Sequence, residues 1–291
     1  MNYQWYPGHM TKAVRMMQEN IKLIDIVIEL LDARIPASSR NPDIDSLAEG
    51  KARLIVLNKA DLADEKETKS FAELFREKGF TVTAMDSRRS GTARMLNEAV
   101  RKACEEKLER NRKKGIINRP MRAMVAGIPN VGKSTLINTL AGRAGAKTGN
   151  KPGVTKGKQW IRLNKQVELL DTPGILWHRF DDPRIGERLA LIGSINDDIL
   201  DKRELSRALI GILRDKAPEA FTQRYGISLS GQDNESLKDH EVLEAVAKAR
   251  GALLKGGEPD IDKAAGLLLE DFRSGRLGRL TLDTLQDISG I

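Results

Sequence analysis

Apolar residues along the chain fall into two rhythms, and the switch between them outlines a fold. Residues 24–31 (IDIVIELL) form a nearly continuous apolar run, the pattern of a strand covered on both faces by helices. Further runs of strand character occupy 53–57, 80–85 and 121–126, and 159–163 with 166–170 reads as a hairpin around Asn164 and Lys165. Elsewhere the period lengthens to that of a helix. Met10, Val14, Met17, Ile21 and Ile24 share one side, 65–77 forms a second helix, 93–112 reads as one long charged helix, and Thr135, Leu136, Ile137 and Leu140 open another. From about 180 onward only the helical rhythm remains, over 185–195, 203–213, 240–255 and 260–272, with Arg and Lys on the polar faces. Strands interleaved with helices predict a three-layer α/β domain over 1–180, including an amino-terminal segment at 1–24. The later helices predict an all-helical domain over 181–291. Two domains suit a length of 291 residues.

Charge adds a partner class to this outline. Lys and Arg number 49 against 41 Asp and Glu, a net +8 spread over the chain rather than confined to a tail. That balance suits a polyanion larger than a nucleotide, RNA first, although a merely soluble basic protein would have the same composition. The run 110–115 (RNRKKG) fits either a solvated face or a nucleic-acid contact. A single cysteine, Cys104, excludes an intramolecular disulfide and a multi-cysteine zinc site, in keeping with a reducing compartment. No apolar run is long enough to span a bilayer, and the first residues lack a signal- or transit-peptide pattern, so the chain is expected in the cytoplasm and off the membrane.

The chemistry begins where the apolar run 121–126 delivers Gly127-Ile128-Pro129-Asn130-Val131-Gly132-Lys133-Ser134 and Thr135 then starts a helix. G-x-x-x-x-G-K-[ST] in a strand-loop-helix setting is a phosphate-binding loop. Glycines keep side chains away from the backbone N–H groups that wrap phosphates, and the helix start adds a favourable dipole for an anion. Lys133 is expected on the β- and γ-phosphates and Ser134 on Mg²⁺.

A second strand, 53–57, ends in Asn58-Lys59-Ala60-Asp61, at the edge where open parallel sheets bind ligands. The Asp61 carboxylate can accept both N1–H and the exocyclic N–H of guanine, the Lys59 stem can lie along the base, and Asn58 can brace the loop. Adenine lacks that donor pair and would leave Asp61 desolvated and unpaired. The pair of motifs therefore indicates GTP and GDP. After 80–85, Asp86 and Ser87 form a turn whose backbone N–H groups can reach guanine O6.

Beyond the phosphate loop, 147–158 is rich in Gly and Lys. Its Thr155 can coordinate Mg²⁺ while its N–H meets the γ-phosphate, ordering the segment only in the triphosphate state. The hairpin then leads into Asp171-Thr172-Pro173-Gly174, where Asp171 can hold Mg²⁺ through water and the Gly174 N–H can bond the γ-phosphate.

GTPases ordinarily run phosphate loop, Thr, D-x-x-G, N-K-x-D. Here N-K-x-D comes first, so the domain is expected to be a P-loop GTPase with circularly permuted motifs. From Trp5, Pro7, Gly8, His9 and Met10 through N-K-A-D, G-I-P-N-V-G-K-S, P-G-V-T and D-T-P-G-I, the chain resembles the ribosome biogenesis GTPase A family over essentially its whole length. The resemblance implies a bacterial factor of late large-subunit (50S) assembly that binds rRNA and is stimulated by the particle; ribosomal proteins are further expected partners, and the chain is expected to be a monomer. Position 175 is Ile where many small GTPases have a water-orienting Gln. The resemblance makes His9 the replacement, presented by the Pro7-Gly8 turn, although a lone His in such a turn more often serves structure. Related GTPases with Asn in the phosphate loop bind K⁺ through it, and Asn130 matches that position. Two rivals keep the same motifs: a nucleotide-gated RNA-binding scaffold, and a GTPase of small-subunit maturation. A separable helical domain also predicts that a chain cut near 185 loses particle binding and keeps GTP binding.

Overall fold

A computed structural model of the chain describes residues 6–116, 119–141, 159–162, 167–177, 180, 182–229 and 238–288. In chain order the elements are α1 (Gly8–Asn20), β1 (Ile26–Asp32), α2 (Asp43–Leu47), β2 (Ala52–Asn58), α3 (Glu65–Glu77), β3 (Thr81–Met85), α4 (Thr92–Ala103), α5 (Glu105–Lys113), β4 (Met121–Gly127), α6 (Lys133–Ala141), β5 (Gln159–Arg162), β6 (Val167–Asp171), α7 (Pro183–Leu191), α8 (Lys202–Lys216), α9 (Pro218–Tyr225), α10 (Asp239–Ala249) and α11 (Ile261–Arg273).

The strands form one sheet in the order β3-β2-β1-β4-β6-β5, with only β5 antiparallel to its neighbour. β1 is buried along its whole length because it lies between β2 and β4 and carries helices on its faces, as its unbroken apolar run requires. The chain builds β1, β2 and β3 outward in one direction and β4 and β6 in the other. The strand order therefore reverses between β1 and β4, and the loops after β1, β2, β3 and β4 meet at that crevice.

Burial follows the pleat. In β2, Leu54 and Val56 enter one apolar cluster while Ile55 and Leu57 enter the other, the period-two alternation of a strand covered on both sides. The second cluster is roofed by Phe71 and Phe75 of α3, each worth about 1.5–3 kcal/mol on burial, and is closed by Ile288 from the far end of the chain. The first cluster runs without a break from the sheet, through α1 and α6, into the helices after 180: Leu170, Leu189, Leu209, Val246 and Leu268 all belong to it.

Two helical expectations need correction, and one helix is new. The single helix expected over 93–112 breaks at Cys104, whose backbone leaves helical angles. α4 has an apolar face for the sheet, whereas α5 (EEKLERNRK) has almost none, and the break lets Lys107 turn back to the buried carboxylate of Asp25 at 2.6 Å. The helix expected over 240–255 stops at Ala249, because Gly251 takes a left-handed φ of 63° and a Leu253–Pro259 bridge follows. α9 is an addition, opened by Pro218 in its first turn and closed by left-handed Gly226. Among the described residues no helix is long and apolar enough to cross a membrane.

Candidate functional site

At the crevice, β4 ends at Gly127 and α6 begins at Lys133, so the loop between them faces the amino terminus of a nine-residue helix, where backbone N–H groups attract an anion. Ile128 and Val131 are buried and anchor the loop. The Lys133 ammonium folds onto that loop, donating to the carbonyls of Gly127 (2.9 Å) and Ile128 (2.7 Å). Ser134 and Thr135, in the first turn of α6, are half-buried.

Asn58 joins three loops. Its Nδ2 donates to the Val131 carbonyl at 2.7 Å, and its Oδ1 accepts from the Ser87 N–H at 3.0 Å. Gly132, at φ 103°, is what lets the amide come so close, since a Cβ there would overlap Asn58 Nδ2. Lys59 reaches across the crevice: its ammonium donates to the Asn130 carbonyl at 2.8 Å and pairs with Asp32 at 3.0 Å. Both Lys59 (φ 58°) and Asn130 (φ 57°) are left-handed, a conformation that persists in non-glycine residues only where the surroundings fix it.

Asp32, fully buried at the end of β1, also takes a two-pronged contact from the equally buried Arg34, at 2.8 Å from both Nε and Nη2. Burial opposes its charge, yet Arg34 and Lys59 hold its carboxyl well below the usual carboxylate range. Burial also pushes the Lys59 ammonium below its ordinary value, against the pull of Asp32. Arg34 sends Nη1 on to the carbonyl of Arg273 at 3.3 Å and lies over the Phe272 ring, tying the loop after β1 to α11.

Asp61 points one oxygen, Oδ2, at Arg88 Nη2 (2.6 Å), while Oδ1 is buried with no hydrogen-bond partner among the described residues. Arg88 also bonds Asp86 and keeps that carboxyl below its usual range. The Ser87 and Arg88 N–H groups are taken by Asn58 and Asp86, so those two amides of the turn are engaged within the protein. Ala60 N–H donates to the Met85 carbonyl at 3.2 Å, fixing the loop to the end of β3.

On the other flank, β6 ends at Asp171, whose side chain lies outside the described residues, as does the whole of Thr155. Gly174 presses on the phosphate loop: a Cβ there would lie 2.8 Å from Pro129 Cα and N, and 3.1 Å from Lys133 Nζ. The Ile175 N–H donates to Gly127 O at 3.2 Å, and its side chain is buried at a groove lined by Val14 and Met17 of α1 and by Ile21 just after it. The Leu176 N–H meets Met10 Sδ at 3.4 Å. His9, exposed in the first turn of α1, precedes that moored methionine. Its direction is therefore set by the helix, not by a free turn at Pro7-Gly8.

The segment after α7 touches the same loop. Asn130 Nδ2 donates to Gly193 O at 2.7 Å, and Ser194 Oγ donates to Pro129 O at 2.8 Å. Neither contact was legible in the sequence, nor were the roles of Asp32, Arg34 and Arg88. The one signal was Asp32-Ala33-Arg34 standing at the carboxyl end of a buried strand.

Residues 122–224 match the family model described as a 50S ribosome-binding GTPase. The chain is 44% identical to ribosome biogenesis GTPase A of Bacillus cereus, over 99% of this chain and 95% of that protein. Two solved structures are similar. GNP-bound YlqF from T. maritima has a TM-score of 0.65 at 31% identity, covering 94% of this chain and 97% of that one. The GDP-bound structure of TM YlqF has a TM-score of 0.66 at 28% identity, covering 94% and 100%.

Proposed function

The chain belongs to the ribosome biogenesis GTPase A family, and from that premise we propose that it hydrolyses GTP to GDP and phosphate and uses the cycle to time its stay on a precursor of the large (50S) ribosomal subunit. The observation that carries the nucleotide reading is the buried Oδ1 of Asp61, partnerless among the described residues and held beside a phosphate loop that Asn58 and Lys59 clamp from the same strand end. Such an acceptor costs on the order of 1–3 kcal/mol until a donor meets it. Guanine supplies two donors on that edge. The second oxygen, Oδ2, becomes available when Arg88, largely exposed, swings aside.

The remaining roles rest on the sequence motifs. Lys133 exchanges its two loop carbonyls for β- and γ-phosphate oxygens, and the α6 amides and the Gly174 N–H complete the cradle. Ser134, Thr155 and Asp171 would hold Mg²⁺, which neutralises charge on the phosphates, and Asn130 is the candidate K⁺ ligand. His9 orients the attacking water, because Ile175 is turned into the α1 groove and has no polar atom to offer. The partners are rRNA and ribosomal proteins in the cytoplasm, engaged by a monomer through basic residues outside the nucleotide site.

Single-turnover GTP hydrolysis, with and without purified large-subunit precursors, tests this. Hydrolysis is expected to be slow alone and stimulated by the particle, with the GTP-analogue form co-sedimenting. Co-sedimentation with unstimulated hydrolysis would favour the scaffold reading, which the buried Ile175 supports, and capture of small-subunit particles alone would defeat the large-subunit assignment.

A further inference from the structure

The base-recognition loop is clamped from the phosphate side by Asn58 and Lys59, and from the opposite side by a stretch of chain more than two hundred positions away. After α11 ends at Arg273 the backbone turns at 274–277, with Gly275 and Gly278 left-handed, and then returns across the carboxyl edge of the sheet. Leu280 N–H donates to Leu62 O at 3.0 Å and Leu282 N–H to Arg34 O at 2.7 Å, so the strap is stitched to the loops leaving both β2 and β1. Asp64 N–H donates to Thr281 Oγ1 at 3.2 Å. Arg279 brackets the loop, with Nε on Ala63 O at 2.7 Å, Nη2 on Ala60 O at 3.1 Å and Nη1 3.6 Å from Glu65. Leu62 packs onto left-handed Gly275, where a Cβ would lie 2.7 Å from its Cδ2.

The strap is itself firmly seated. Buried Asp283 accepts from Ala37 N–H (2.7 Å), Ser38 N–H (2.8 Å) and Ser38 Oγ (2.7 Å), and pairs with Arg188 of α7 at 2.9 Å. Asp61 thus stands between carbonyls that the strap grips on either side, and it lies two residues after left-handed Lys59, a conformation that needs fixing from outside. Hydrogen bonds to a base weaken steeply with small changes in distance and angle, whereas the phosphate contacts come from Lys133 and the start of α6, and the strap's hydrogen bonds named above go to the loops after β1 and β2.

We propose that Arg279, with Thr281, is a positioning residue for guanine recognition, setting where the Asp61 carboxylate meets the base. The proposal rests on the guanine-nucleotide reading above and adds the carboxyl-terminal strap to its specificity apparatus. Losing the strap's grip should weaken base contacts selectively, and most where the base offers both donors.

The test uses the full-length protein and fluorescently labelled GDP and IDP, since hypoxanthine lacks the exocyclic amine and can give Asp61 only one bond. Wild type is expected to bind GDP more tightly than IDP. Failure to do so would overturn the guanine reading itself. Arg279→Ala is expected to weaken GDP binding about five- to tenfold, the effect of one spoiled hydrogen bond, and to weaken IDP binding by less, so that the GDP-to-IDP preference shrinks. Thr281→Val, which keeps shape and removes one acceptor, should act in the same direction more weakly. Should Arg279→Ala fail to fold in a thermal melt, Arg279→Lys, which keeps the charge near Glu65 and loses the two-carbonyl fork, gives the decisive ratio. Wild-type affinities in these variants, or equal losses for GDP and IDP, would overturn the proposal.

Discussion

Asp32 shows how much the site asks of one residue. It is the register partner of Asn58 across the β1–β2 pair, so Lys59 arrives beside it one position further on, while Arg34 reaches back from the turn. With its folded titration held below the ordinary aspartate value, it contributes stability that is fully present above about pH 5 and is lost as pH falls through and below the usual carboxylate range. Asp32→Asn is expected to cost about 3–5 kcal/mol at pH 7, the loss typical of breaking a buried pair. Urea midpoints of variant and wild type should converge below about pH 4, and a gap that stayed constant to pH 3 would remove Asp32 from this role. Asp32-Ala33-Arg34 is plain in the sequence at a strand end, yet its partner is not, because the pairing exists only once two strands are in register. Cys104 is a simpler case: burial, helped by Asp25, pushes its thiol up to about 12, so it stays protonated and unreactive near neutral pH.

At the scale of elements, α1 couples two parts of the site that the sequence treated as independent. The apolar spacing from Met10 to Ile21 foretold the helix, and Ile175 foretold the missing water-orienting group, but nothing in either pattern says that they pack on each other. They do, and the Leu176 N–H to Met10 Sδ contact places the start of α1 directly behind the loop that follows Gly174. His9→Ala should therefore lower particle-stimulated turnover about ten-fold or more while shifting GDP and GTP affinities by less than about three-fold, since a water-orienting group acts on the transition state. Turnover unchanged in the presence of particles would return His9 to a structural part. Strands and their end-motifs were legible because period and turn chemistry are local. The Cys104 break and the extra helix α9 were not, because each depends on what the rest of the molecule leaves available to pack against.

Across the whole molecule, the helical rhythm from about 180 onward foretold a helical region, and α7 to α11 lie there. The expectation that this region can be cut away near 185 without harm to nucleotide binding does not survive the contacts. The apolar core is continuous from Leu170 to Leu268, Ile288 closes the cluster under α3, and Asp283 and Arg279 hold the loops after β1 and β2. A chain ending at 184 should therefore melt at lower temperature and bind labelled GDP at least about ten-fold more weakly than the full chain, as loss of several buried hydrogen bonds requires. Normal affinity in the truncated protein would restore the two-domain separation.

The strap has a last consequence, in time rather than in space. Arg279 and Ala60 stand 219 positions apart, which at roughly 5–20 residues per second is about 10–40 s of synthesis. The emerging chain exposes Asn58-Lys59-Ala60-Asp61 first, its phosphate loop next and the strap that bonds to the loop after β2 only afterward. Nucleotide affinity is thereby assembled vectorially, and a nascent chain carrying every motif is still an unfinished receptor until α11 and the residues beyond it have cleared the translating ribosome.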